Sequence, residues 1–229
     1  MTIDDALVLP DEAPAATQSW STGTLQTRLL EVAAAGALAA LLLVLFWLKP
    51  RPDFWAAISH PFFWIKGLYT ATLAAIALGG ATAAARPGAP LWPALVSGGA
   101  MVVLMTLAVA FEAPGLDAAL IAHIFNPGGA FNCVFHVSVL SVSMLLVAGV
   151  GLRGVEMERP GLTGLFVGLF SGAVAATIYG VHCQDSTFLF VALWYSFGVA
   201  LCGAVGAVTL KLISRRLRPD PADSSVVDV

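Results

Sequence analysis

An all-α integral membrane protein with six transmembrane helices and both termini in the cytoplasm is the fold class that three observations predict. Of 229 residues, 59% are hydrophobic and 11% are charged, whereas a soluble domain carries about 25% charged residues. Six apolar stretches each reach about the 20 residues that cross a hydrocarbon core. The basic residues fall unevenly between alternate connections, the pattern that orients helices in a bilayer.

The chain divides into an acidic cytoplasmic tail (1–28), a six-helix transmembrane region (29–213) and a second cytoplasmic tail (214–229). The first tail holds Asp4, Asp5, Asp11 and Glu12 with Pro10 and Pro14, around a short apolar patch from Ala6 to Leu9. Two readings stand for it: a segment that orders on a partner, or a solvated tail without a role. No basic n-region or cleavage pattern precedes the first apolar stretch, so that stretch is expected to act as its own insertion signal.

The apolar stretches run over Leu29–Leu48, Phe63–Ala85, Leu91–Ala110, Cys133–Leu152, Leu162–Val181 and Phe188–Ile213. In hydrocarbon a helix satisfies its own backbone, so helices are the expected form. Proline and glycine mark the breaks at 49–52, 86–90, 126–129 and 159–161. Proline cannot continue a helix, and glycine permits the turn. Gly98-Gly99 and Asn132 dilute the third and fourth stretches.

Orientation follows from Arg28, Arg86, Arg153, Arg159, Lys211, Arg215, Arg216 and Arg218, all on the side of the two tails. The other side has Lys49, Arg51 and Lys66, and its 111–132 and 182–187 loops have no lysine or arginine. Positive charge stays inside, so both tails are expected in the cytoplasm. A reporter active only outside the cytoplasm is therefore expected to stay silent when fused to the C-terminus.

This orientation sends the reactive side chains to one side. His60, His123, His136 and His182, with Cys133 and Cys183, fall at the outer face or its interface, and of the cysteines only Cys202 lies mid-helix, as core. The competing account is that histidine is disfavoured in hydrocarbon and collects at interfaces. Cys133 and His136 are three apart and share a helix face. His182 and Cys183 are adjacent in a turn, with Asp185 two residues on. Thiolate, imidazole and carboxylate are ligand types for a soft or borderline ion such as Cu(I), Zn or Cd. Cys133, His136, His182, Cys183 and Asp185 are thus the candidate metal ligands, with the ion a signal rather than a required cofactor. Three readings of the cysteines compete: a disulfide pinning two helix ends, free thiols that bind metal or are oxidised, and small core residues.

Other features are structural. Gly164, Gly168 and Gly172 recur every four residues and predict a close helix seam. Trp64 and Trp194-Tyr195 read as packing or interfacial aromatics, and Leu116–Phe125 as an amphipathic segment along the outer surface. No mid-span Asp, Glu, Lys or Arg, no half-helix pair and no nucleotide or redox-cofactor motif is present, which disfavours an enzyme or pump. Nothing points to direct nucleic-acid binding. A small metal-handling transporter is the alternative, with only Thr106, Ser141, Ser143, Ser171 and Thr177 to line a path. A thiol oxidoreductase partner would want a vicinal cysteine pair.

From Arg51 to Arg216 the chain resembles the NrsF-type (negative regulator of sigma-F) transmembrane anti-sigma factors. The likeness is most specific in Gly172–Gly206, where Tyr179-Gly-Val-His182-Cys183 and Phe190-Val-Ala-Leu-Trp194-Tyr195 resemble that family's His-Cys turn and Trp-Tyr signature. Cys133 resembles its other cysteine, and Arg51-Pro52-Asp53 with Phe62-Phe63-Trp64-Ile65-Lys66 resembles its first outer loop. The family's acidic residue after the turn appears here as Gln184-Asp185. The resemblance implies a multi-pass protein of the bacterial inner membrane. Such a protein would sequester an extracytoplasmic-function sigma factor and release it under heavy-metal or oxidative stress. It further implies that Cys133 and Cys183 are the sensing pair and that the tail 1–28 contacts the sigma factor.

Overall fold

The computed structural model describes residues 22–151 and 158–216. The acidic tail through Ser21, Arg153 and the C-terminal tail from residue 217, Arg218 included, lie outside the described residues. All regular structure among the described residues is helical. Helix α1 covers Thr22–Leu43 and continues through a wide π-helical turn, Val44–Leu48. After a one-turn helix α2, Phe54–Ala57, come α3 (Pro61–Ala84) and α4 (Trp92–Glu112). A short α5, Ala118–Ile124, precedes α6 (Pro127–Gly151) and α7 (Pro160–Tyr179). The last helix, α8, starts at Phe188–Phe190, widens into a π-helical turn over Val191–Tyr195 and runs on as Ser196–Arg216.

The breaks read from the sequence are the helix boundaries. Pro61 and Pro160 open α3 and α7, where a missing N–H costs nothing because the first turn has no partner for it. Asp117 caps α5 by accepting from the Leu120 N–H at 2.7 Å. Five helical runs are long and apolar enough to cross a membrane: Pro61–Ala84, Trp92–Gly115, Pro127–Leu146, Pro160–Tyr179 and Phe188–Ser214. The first expected span differs. Its apolar part is the shorter run Ala33–Leu48, because α1 begins in the more polar sequence from Thr22.

Helix α7 is the centre of the bundle, between α3 and α8, with α6 and α1 against it as well. Small residues allow this. A Cβ at Gly164 would run into the Gly206 carbonyl, and one at Gly168 into the Cys202 carbonyl. The glycine seam expected on this helix is therefore its contact with α8. Cys202 sits there as core, 2% exposed, with its sulfur 3.1 Å from the Ser141 hydroxyl. Helix α4 is the outlier, with Trp92, Val102, Leu104 and Phe111 all facing outward.

Candidate functional site

The chain between α7 and α8 is short and built on backbone bonds. Cys183 N–H and His182 N–H both donate to the Tyr179 carbonyl, at 3.0 and 2.9 Å, which curls residues 180–183 over the end of α7. The chain then extends to Thr187, whose hydroxyl accepts from the Phe190 N–H at 3.2 Å. Glu112, at the end of α4, accepts from the Phe188 and Leu189 N–H groups at 2.8 Å each. Three N–H groups that a helix start leaves without partners are thus satisfied, one by its own cap and two by a carboxylate that also suits the positive end of the helix dipole.

Elements far away in sequence hold this turn. Arg51 N–H donates to the Val181 carbonyl at 3.2 Å. Its guanidinium reaches the Cys183 carbonyl at 3.4 Å while gripping both Asp53 oxygens at 2.7 Å. That grip holds the Asp53 carboxyl below its usual range and keeps Arg51 firmly charged. His182 Nδ1–H donates to the Lys49 carbonyl at 2.7 Å. Lys49 has φ of 65°, the one described non-glycine residue in the left-handed region, a strained conformation that the histidine bond helps to fix. The Lys66 ammonium donates to the carbonyls of Cys183 and Asp185 at 3.1 and 3.3 Å. On the outer edge, His123 Nε2 lies 2.9 Å from Asp185 Oδ1.

Both candidate cysteines are buried here. Cys133 on α6 and Cys183 on the turn are 1% and 4% exposed and belong to one buried cluster with Tyr179, Phe190 and Tyr195. Both are free thiols, as is Cys202. Cys183 Sγ points at Asp185 Oδ2, 3.7 Å away. Burial pushes the Cys183 thiol up, and the Lys66 charge works in the opposite direction. The buried Tyr195 hydroxyl has no hydrogen-bond partner of good geometry, though it lies beside the Cys183 sulfur.

The imidazoles form a second group. His136, half-buried, has a buried Nδ1 without a hydrogen-bond partner and stands among rings, with Trp47 at 5.6 Å, Phe135 and Tyr179 at 5.7 Å each and His182 at 6.0 Å between centroids. The five candidate ligands therefore separate into a thiol–carboxylate group and an aromatic–imidazole group. Among the described residues no three His, Cys, Asp or Glu side chains gather as a metal site.

The sequence singles out Cys133, His136, His182, Cys183 and Asp185 as candidates but not what holds the turn. Lys66, grouped by sequence with the outer-side charges, is 3% exposed within α3. Arg51 and Asp53 carried a signal in their opposite charges two apart, and His123 in its place among the outer-face histidines, whereas Glu112 carried none. Trp194 does more than fill space, donating its Nε1–H to the Ile124 carbonyl at 2.8 Å and so tying the short helix α5 to α8. The five hydroxyls that a transport path would need are engaged within the bundle, Ser141 and Thr177 also meeting Cys202 and Thr70 on neighbouring helices. Thr106, Ser141, Ser143, Ser171 and Thr177 all donate to carbonyls three or four residues back.

A family model described as NrsF, negative regulator of sigma F, matches residues 15–215. The chain is similar to the "Anti-sigma-F factor NrsF" of Caulobacter vibrioides, 40% identical over 182 residues that cover 78% of this chain and 84% of that protein. It is similar also to the "Probable anti-sigma-F factor NrsF" of Azospira oryzae, 32% identical over 175 residues, which cover 76% of this chain and 81% of that one. No solved structure matches the chain.

Proposed function

Because the chain belongs to the NrsF family of negative regulators of sigma F, we propose that it is an anti-sigma factor of the bacterial inner membrane. It crosses the bilayer six times with both termini in the cytoplasm, the shorter apolar run Ala33–Leu48 serving as the first crossing. It holds an extracytoplasmic-function sigma factor there and releases it when heavy-metal or oxidative stress alters the thiols outside. Its role is regulatory rather than catalytic.

The observation that carries the sensing part is the shared burial of Cys133 and Cys183 beside a turn tied to four other elements. Chemistry at either sulfur cannot stay local there. Forming a disulfide removes two protons and two electrons, which an oxidant takes up, and draws α6 and the α7–α8 turn together. A thiol-seeking ion displaces the thiol protons and pulls on the same two elements. A signal of this kind acts only by favouring one helix arrangement over another. His136 and His182 orient the surrounding rings and the strained Lys49 backbone.

The test is a pull-down from gently solubilised membranes through a C-terminal tag. A small sigma factor is expected to come down from unstressed cells. It should be lost after treatment with a thiol oxidant or cadmium. Absence of any sigma factor under all conditions overturns the proposed function.

A further inference from the structure

Lys66 is a buried charge to which the reading above assigns no task. It lies in the second turn of α3 and is 3% exposed. Among the described residues no carboxylate forms an ion pair with it. Its ammonium is held by two carbonyl oxygens, of Cys183 and Asp185, and lies 5.8 Å from the centre of the Tyr195 ring. All three partners belong to the thiol turn or to the start of α8. One turn further along α3, the Thr70 hydroxyl lies 2.8 Å from that of Thr177 on α7, a contact between the two helices just beneath the site.

A cation taken out of water must keep its partners, because an unpaired buried charge is far more costly than a paired one. The turn therefore cannot move away from α3 without stranding the ammonium. Covalent connection ties the turn to α7 and α8. Among the described residues, Lys66 makes the hydrogen bonds between its centre and α3, whereas Phe62 and Tyr69 of α3 meet Phe188 and Ser196 of α8. The Cys183 carbonyl is shared with Arg51, but that guanidinium is anchored on Asp53 in its own loop and reaches no transmembrane helix.

We propose that Lys66 is a positioning residue that couples the thiol turn to α3, so that a change at Cys133 and Cys183 displaces α3 together with α7 and α8. This rests on the sensing role proposed above for the two thiols. Under it, α3 carries the change toward Arg86 and the connection that follows, away from the turn.

Lys66→Met tests the coupling. It retains the length of the side chain, and replacing a buried charge by an apolar group of similar volume is often tolerated by the fold. Three quantities are read in cells treated with a thiol oxidant: the amount of protein in the membrane, the Cys133–Cys183 disulfide by mass spectrometry, and the sigma factor retained. The variant is expected to accumulate, to hold the sigma factor in untreated cells and to form the disulfide as the parent does. Its release should fall about tenfold, the scale of an ordinary allosteric coupling. Lys66→Arg, which keeps a buried cation, is expected to restore release. Parental release from Lys66→Met overturns the proposal, and so does Lys66→Arg behaving like the methionine variant. Where the methionine variant does not accumulate, Lys66→Gln takes its place with the same expected loss, and parental release from it is equally fatal. If the parent itself forms the disulfide and keeps its sigma factor, the sensing role falls first and this coupling falls with it.

Discussion

Serine at both Cys133 and Cys183 is expected to leave the sigma factor bound through a challenge that releases it from the parent. Allosteric couplings of ordinary size change affinity by roughly 5–150-fold, and release should drop by a factor in that range when the coupling is removed. The substitution suits the site. Both positions are small and buried, and a hydroxyl at 183 can still donate to Asp185 as the thiol does. Each single variant should fail as the double one does if the two sulfurs act as a pair. A double variant that responds normally would take both thiols out of the mechanism. The pH dependence has a definite sign. Burial raises the Cys183 thiol, so the fold favours the protonated form. That contribution to stability is intact at neutral pH and is lost as pH rises beyond the ordinary thiol range. Alkylation of Cys183, followed by mass spectrometry, is accordingly expected to be slower than that of a free cysteine at neutral pH and to accelerate in alkali.

The second large effect is on the fold itself. Gly168→Leu places a side chain where the Cys202 carbonyl and the Gly203 Cα already stand. Those are backbone atoms of α8, which cannot swing aside as a side chain would, so α7 and α8 must separate. Overpacking in a well-filled interior typically costs about 1–3 kcal/mol, and contact with backbone belongs at or above the top of that range. The variant should largely disappear from the membrane fraction, and what remains should unfold at a clearly lower temperature in detergent. Gly79→Leu and Gly98→Leu provide the contrast, since a Cβ at either position meets no atom within 4 Å. Parental levels of Gly168→Leu would mean that the α7–α8 seam does not exist.

Some of this was legible in the sequence, for identifiable reasons. The helices announced themselves because hydrocarbon allows the backbone one solution and because proline and glycine mark where it stops. The glycine repeat at 164, 168 and 172 has one common use, and α8 lies in that groove. Cys133, His182 and Cys183 stood out because polar and reactive residues are scarce in so apolar a chain. What escaped was the set of tethers. Lys66, Arg51 and His182 all bind backbone carbonyls, and a carbonyl leaves no mark in a sequence. The sequence also grouped ligand-type residues by proximity in the chain, whereas the fold buries Cys133 in one cluster with Cys183 and sets His136, on the next turn of the same helix, among aromatic rings. The first apolar stretch, expected over Leu29–Leu48, is shorter in the structure, Ala33–Leu48, for a simpler reason. Counting apolar residues does not say where a helix begins, and α1 begins in polar sequence.

The wide turn at Val191–Tyr195 separates α8 into two lengths whose angular phase is set independently. The upper length is fixed by Glu112 and the Thr187 cap, the lower by interdigitation of Gly203 and Gly206 with α7. The surplus residue between them is the mismatch of those two settings. Were it squeezed out into ordinary helix, everything below would turn by about 100° and advance by about 1.5 Å, the increment of one residue in an α-helix. Gly203 and Gly206 would then leave their groove. The helix is in this sense a geared shaft, with its slack stored beside the thiols and its teeth engaged further down.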